Sequence, residues 1–207
     1  AIYSSGGGSS IGGLIFTDCN FIFNKGGSGG AIYFSGTQAP VFNGCIFDNN
    51  FGDGNQTYSG GVLYMPVSDA SDFQFKNCIF KNNRGKFNGG VAYIEGGASN
   101  VDENITFTNC QFYNNEAGVY SQGSANGGVI YSRDEKIKFI NCTLTNNSAN
   151  GGDGDAFYLR GSSGNSPSII NSIVWDNDNE SIYIDDESII PTITYSNIDG
   201  GWEGVGN

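Results

Sequence analysis

Gly89 to Asn115 reads GGVAYIEGGASNVDENITFTNCQFYNN, and it holds three phrases that return along the whole chain: Gly-Gly-small-x-Tyr, Phe-x-Asn-Cys and x-Phe-x-Asn-Asn. The first returns as Ala1-Ile2-Tyr3, Ala31-Ile32-Tyr33, Val62-Leu63-Tyr64, Val91-Ala92-Tyr93, Val129-Ile130-Tyr131 and Ala156-Phe157-Tyr158. A variable polar stretch follows each copy, then an alternating apolar run such as Phe73 with Phe75 or Ile105 with Phe107. Next stands Cys19, Cys45, Cys78, Cys110 or Cys142, with Ser172 in that place in the sixth copy. Two residues on comes Phe21, Phe47, Phe80, Phe112, Leu144 or Val174. Alternation of this kind is strand periodicity, and no window shows that of a helix.

The residue before the cysteine position is Asp18, Gly44, Asn77, Asn109, Asn141 or Asn171. Gly, Asn and Asp tolerate positive φ most readily, so these are expected structural turns where each copy bends sharply. Asn-Asn pairs at 49–50, 82–83, 114–115 and 146–147, and the Gly-Gly pairs, mark the other turns. The cysteines are 26, 33, 32 and 32 residues apart. Three short strands per copy, recurring in register, describe stacked solenoid coils whose equivalent strands pair in parallel. Seven coils, the last with Ile182, Ile184, Thr192 and Tyr195, would make a rod about 30 Å long. The expected fold is all-β, a parallel β-helix over residues 1–207 as a single domain. A β-propeller is the second choice, but its blades usually take about 40 residues or more. The opening Ala1-Ile2-Tyr3 looks like the first phrase cut short, which reads as a fragment of a longer chain.

GGAIY followed by FxNCxFxNN resembles the GGAI and FxxN repeats of polymorphic outer membrane proteins. It is also similar to the wider set of bacterial and protist right-handed β-helix repeat proteins. NSIVWDN (171–177) and TITYSNIDGGWEG (192–204) look like the ends of such helices in secreted bacterial proteins. The resemblance implies a right-handed parallel β-helix with an extracellular or cell-surface location. It speaks to fold more than to function, because the repeated residues are those that coil geometry demands.

Fifteen Phe and eleven Tyr argue against disorder despite 33 Gly. A net charge of -12 repels polyanions, which excludes nucleic acid and an anionic membrane surface as partners. No apolar run is long enough for a membrane helix, so direct membrane insertion is not expected. The chain has no His, which removes the commonest general base and metal ligand.

Four groups of residues invite a functional reading. Cys19, Cys45, Cys78, Cys110 and Cys142 lack a Cys-x-x-Cys ligand pattern and occupy one place in successive coils. Neighbours in a parallel ladder stay about 4.8 Å apart, beyond the roughly 3.5–4.5 Å between Cβ atoms that a disulfide needs, so a buried ladder of reduced thiols is expected. The tyrosine column of Tyr3, Tyr33, Tyr64, Tyr93, Tyr131 and Tyr158 is flanked by large apolar residues, which places it on the outer face as an aromatic binding stripe for sugar rings or a protein partner. Asp153, Asp155, Asp176 and Asp178 lie in Gly- and Asn-rich stretches that would suit calcium, although solvated turns on an acidic protein are the first reading. Asp185, Asp186 and Glu187 add a further acidic group. Five Asn-x-Ser/Thr sequons, at Asn55, Asn104, Asn141, Asn146 and Asn179, are close to the number chance would give.

Three functions compete. Parallel β-helices include polysaccharide lyases and hydrolases, but the bases are scattered along the chain, and only Arg160 near Asp153 and Asp155 forms a grouping. A surface module for adhesion or display, contacting protein or carbohydrate, suits constant coils with variable loops at Gly52–Ser59, Ala117–Asn126 and Asn150–Asp155. Self-association through the helix ends, as in a filament, is the third, because a solenoid end exposes unpaired strand edges. The expectation is the non-catalytic surface module, with no cofactor unless calcium.

Overall fold

The computed structural model describes residues 1–5, 13–35, 39–54, 58–68, 73–96, 104–119, 125–161 and 166–207. Among the described residues every regular element is a strand, and the chain winds through four sheets in turn. One coil runs Leu63–Ser68 in sheet A, Phe73–Lys76 in sheet B, Ile79–Lys81 in sheet C and Arg84–Gly85 in sheet D. Equivalent strands of successive coils pair in parallel, giving seven strands in each of sheets A, B and C and five in sheet D. Like residues face like: Tyr93 lies beside Tyr131, Phe75 beside Phe107 and Phe80 beside Phe112. The fold is a parallel β-helix of seven coils. Sheet D departs from the expected three strands per coil. Its strands, such as Phe51–Gly52 and Glu116–Ala117, hold two residues each, too few for alternation to show.

Period-two alternation sends one residue of each pair inward, and the register then stacks identical rings. Phe42, Phe75, Phe107 and Phe139 stack at 5.0, 4.9 and 4.8 Å between centroids. A second column of Phe47, Phe80 and Phe112 stacks at 4.8 and 4.7 Å. The two columns meet edge to face, with Phe75 and Phe80 at 74°. Each such pair contributes about 0.5–1.5 kcal/mol beyond simple burial.

Corners between sheets B and C, and between C and D, always take two residues. At the first corner Asp18, Gly44, Asn77, Asn109, Asn141 and Asn171 have φ of 51°, 66°, 55°, 54°, 55° and 49°. At the second corner Asn49, Asn82, Asn114 and Asn146 also have positive φ, between 52° and 55°. The next residue there turns inward, so the Asn-Asn pair is more than a turn. Asn50, Asn83, Asn115 and Asn147 are at most 1% exposed. The Oδ1 of Asn83 accepts the backbone N–H of Asn50 at 3.0 Å and its Nδ2 at 2.9 Å, while Asn83 Nδ2 donates to the Phe47 carbonyl at 2.9 Å. The same bonds repeat coil by coil, from Asn24 to Asn177. They satisfy backbone groups that the bend would otherwise bury unpaired.

Connections on either side of sheet A behave differently. From D to A they take five residues (27–31) to twelve (118–129), and from A to B two (134–135) to nine (6–14). At the entry to sheet A successive coils almost touch. A Cβ on Gly90 would lie 2.0 Å from the Gly128 carbonyl oxygen, which is why the phrase begins with glycine. Over the last coil, the Val205 carbonyl accepts the Tyr195 N–H at 2.9 Å, Asn207 Oδ1 accepts the Ser196 N–H at 2.9 Å, and Trp202 packs on the core.

Candidate binding face

The variable connections enter and leave sheet A at its two borders, so its outer face lies between them in the chain order of every coil. Alternation places Tyr33 opposite the inward Ile32 and Phe34, and the register builds the tyrosine column from there. The rings form a cluster apart from the main core. They stack on one another: Tyr93 on Tyr131 at 4.7 Å and 4°, and Tyr131 on Tyr158 at 5.1 Å and 6°. An open stripe across all these rings is therefore corrected. Their faces are taken up by their neighbours, and Tyr93, Tyr131 and Tyr158 are 3%, 7% and 7% exposed.

In the later coils the residue two positions after the tyrosine is charged, and this row meets the hydroxyls. Tyr93 donates to Glu95 at 3.2 Å, and Glu95, Arg133 and Arg160 lie side by side in register. Arg160 contacts Asp185 at 3.3 Å, and its guanidinium is held above its usual pKa first by its hydrogen bond with Tyr131 and then by Asp185. Burial, reinforced by Glu95, pushes the Tyr93 hydroxyl up. Burial, reinforced by Asp185, does the same to Tyr158. The Tyr64 hydroxyl is pushed up to about 12, again by burial first and Glu95 second.

The stack is interrupted at Tyr64. Tyr33 and Tyr64 are half-buried and inclined at 48°, and Tyr64 is inclined at 36° to Tyr93. Tyr58 stands edge-on to Tyr93 at 5.3 Å. Here a cleft of about 440 Å³ opens, lined by Tyr33, Tyr58, Tyr64, Asp53, Ser28, Gly27 and Gly54. Asp53 in its wall is held by Lys25 at 2.7 Å and Lys86 at 3.3 Å. Its carboxyl lies below the usual range, through the hydrogen bond from Lys25 first and Lys86 next. Beside it Phe51 is paired between Lys25 and Arg84, whose charges sit 5.4 and 5.6 Å from the ring centre. Bases scattered in the sequence are thus gathered by the coil at this corner.

Residues 1–144 match the family model described as the right-handed β-helix region. The chain belongs to this family. Membership establishes the fold and leaves the activity open, since right-handed β-helices include enzymes and non-enzymes. Comparisons with curated proteins and with solved structures return no significant match.

Within this right-handed β-helix the other candidates separate. Arg160 pairs with Asp185 rather than with Asp153 or Asp155, because Asp185 follows the neighbouring strand of sheet A. The proposed calcium ligands do not converge: among the described residues no three of His, Cys, Asp or Glu are placed to hold a metal ion. Asp155 is buried and accepts the N–H groups of Ala149 and Asn179, which fixes it as a brace between two coils. Burial raises its pKa against the lowering effect of those bonds. Asp176 holds a positive-φ corner, and Asp178 is exposed. All five cysteines are free thiols, with Cys45, Cys78, Cys110 and Cys142 buried and Cys19 half-buried. Each buried thiol donates to a phenylalanine carbonyl of the preceding coil, as Cys110 does to Phe75 at 3.5 Å and Cys142 to Phe107 at 3.5 Å. Burial raises the Cys45 thiol to about 11, which suits packing and not nucleophilic chemistry. Of the sequons, Asn55 and the Asn104 side chain lie outside the described residues, while Asn141, Asn146 and Asn179 are exposed. The expected loops Gly52–Ser59 and Ala117–Asn126 lie partly outside the described residues, whereas Asn150–Asp155 lies within them.

Sequence reasoning missed Asp53, Tyr58, Lys25 and Lys86 as neighbours. Asp53 and Tyr58 stand in a connection of variable length, so no repeat phrase carries them.

Proposed function

We propose that this chain is a non-catalytic, extracellular or cell-surface β-helix module that binds protein or carbohydrate across the outer face of sheet A, as the resemblance to polymorphic outer membrane protein repeats also implies. The observation that carries this reading is the asymmetry of the connections. Corners beside sheet C are fixed at two residues, while every change in length falls at the two borders of sheet A. Variation there alters the borders of one face and leaves the coil register untouched, which is what a display surface requires. End-to-end stacking has less support at the last coil, where Val205 and Asn207 already accept the N–H groups of the corner residues Tyr195 and Ser196. A binding screen of immobilised protein against glycans and surface proteins tests the reading. Saturable binding without product, lost in Arg160→Glu on sheet A and kept in Thr106→Glu on sheet B, is expected. Turnover of a polysaccharide, or loss in the sheet B variant alone, would overturn it.

A further inference from the structure

We infer that the cleft between Tyr33, Tyr58, Tyr64 and Asp53 is a subsite for a neutral sugar ring of an oligosaccharide. This rests on the reading of sheet A as the binding face and names the ligand class for one end of it. Three features converge. The first is aromatic surface. Elsewhere in the column the rings stack at 4° to 21°, but at Tyr64 the inclinations of 48° and 36° to its two neighbours leave ring surface unmatched. The apolar C–H face of a pyranose packs against such a ring, and Tyr58, 38% exposed, forms a second wall.

The second is a positioned acceptor. Asp53 is anchored by two ammonium groups from different coils, so its carboxylate is fixed in direction and stays ionised at neutral pH. A carboxylate has about four lone-pair sites, so two ion-pair contacts leave acceptor capacity for a pair of sugar hydroxyls. Charge-assisted bonds of this kind are roughly twice as strong as neutral ones. The third is close backbone. Gly27 and Gly54 line the cleft without side chains, and a Cβ on Gly54 would lie 2.3 Å from the Gly27 carbonyl oxygen. Ligand hydroxyls can therefore reach main-chain groups directly.

Charge selects a neutral ligand over an acidic one. Lys25 and Lys86 are both engaged by the one carboxylate of Asp53, which itself would face an acidic sugar, and the protein as a whole carries -12. A volume of about 440 Å³ falls within the range of about 300–1,000 Å³ usual for small-ligand sites.

The test is calorimetric titration of the whole chain with cello-, manno- and xylo-oligosaccharides, and with oligogalacturonate as the acidic counterpart. At least one neutral series should bind, with affinity falling about tenfold or more in both Asp53→Ala and Tyr58→Ala, a change of about 1.4 kcal/mol each. Tyr58→Ala lies in a connection and Asp53→Ala at the surface, and circular dichroism checks that both stay folded. Oligogalacturonate should bind at least about tenfold more weakly than the neutral series, the equivalent of about 1.4 kcal/mol. Absence of neutral binding up to about 1 mM, or binding unchanged in both variants, overturns the sugar subsite. If a protein ligand is still captured and lost in Arg160→Glu, the sheet A reading stands while the sugar subsite falls.

Discussion

Two rows of asparagine run up this rod side by side, one buried and one exposed. In the buried row, Asn50, Asn83, Asn115 and Asn147, each side chain serves its neighbour's backbone N–H, its neighbour's amide and a phenylalanine carbonyl. In the exposed row, Asn77, Asn109, Asn141 and Asn171, the amides bond each other at 2.7 to 3.1 Å, and Asn77 donates to the Asn43 side chain at 2.8 Å; none of these bonds serves a backbone group. The two rows differ accordingly in the residues they accept. The exposed row takes Asp18, Gly44 and even Tyr195 at equivalent places, all with positive φ. The buried row is Asn at all six places from Asn24 to Asn177. One row needs a conformation; the other needs a pair of hydrogen-bonding groups.

The largest effect should come from emptying the buried row. Asn115→Ala leaves the Asn83 N–H and the Phe80 carbonyl without partners in a dry corner, a loss of about 3 kcal/mol by the cost of two orphaned groups. Urea titration measures it directly.

In the exposed row the substitution, not the position, should decide the outcome. Asn109→Val is expected to lose about 1–2 kcal/mol, because a β-branched residue fits positive φ poorly. Asn109→Gly should change stability by less than about 0.5 kcal/mol, as a surface change that keeps the conformation accessible. Equal midpoints for Val and Gly would remove the conformational explanation.

A gain is expected where the chain breaks its own rule. Phe23 stands at φ 54° and 76% exposed, at the corner where later coils carry asparagine. Phe23→Asn should stabilise by about 1 kcal/mol, and a lowered thermal midpoint would count against that.

The smallest effect concerns the loop corner. Asp53 is depressed by Lys25 first and Lys86 second, so its contribution is present above its unfolded value of about 3.9 and is lost as pH falls through its folded value. As a surface pair it is worth less than about 1 kcal/mol. NMR titration of Asp53 should show its midpoint rising in Lys25→Ala.

Much of the coil was legible because its determinants repeat. Alternation predicts the inward phenylalanines, and Asp18, Gly44 and Asn77 together point to positive φ where one copy alone would not. The buried asparagine row was hidden because propensity treats both residues of Asn-Asn as turn formers. Its signal was Asn24 and Asn177, where the first residue of the pair is Phe23 or Asp176 and the second is still Asn. The outward tyrosines followed from alternation, but their burial did not, since it depends on ring-to-ring stacking and on connections that obey no period. The cleft at Asp53 was illegible for the same reason: it joins residues from three coils, and only one of its walls belongs to the repeat.

One isosteric exchange made in both rows tests the claim that the same residue type does two different jobs. Asn115→Asp and Asn109→Asp change the same atoms, yet only the first removes a donor to Phe80 and Asn147 and buries a carboxylate among carbonyls. Paired denaturant titrations at pH 7 should show Asn109→Asp within about 0.5 kcal/mol of the parent and Asn115→Asp lower by about 3 kcal/mol or more. The buried acid's pKa would be raised in the folded state, so its loss should shrink as pH falls below the folded value. Equal losses in the two rows, or a tolerated aspartate at position 115, would contradict the distinction between them.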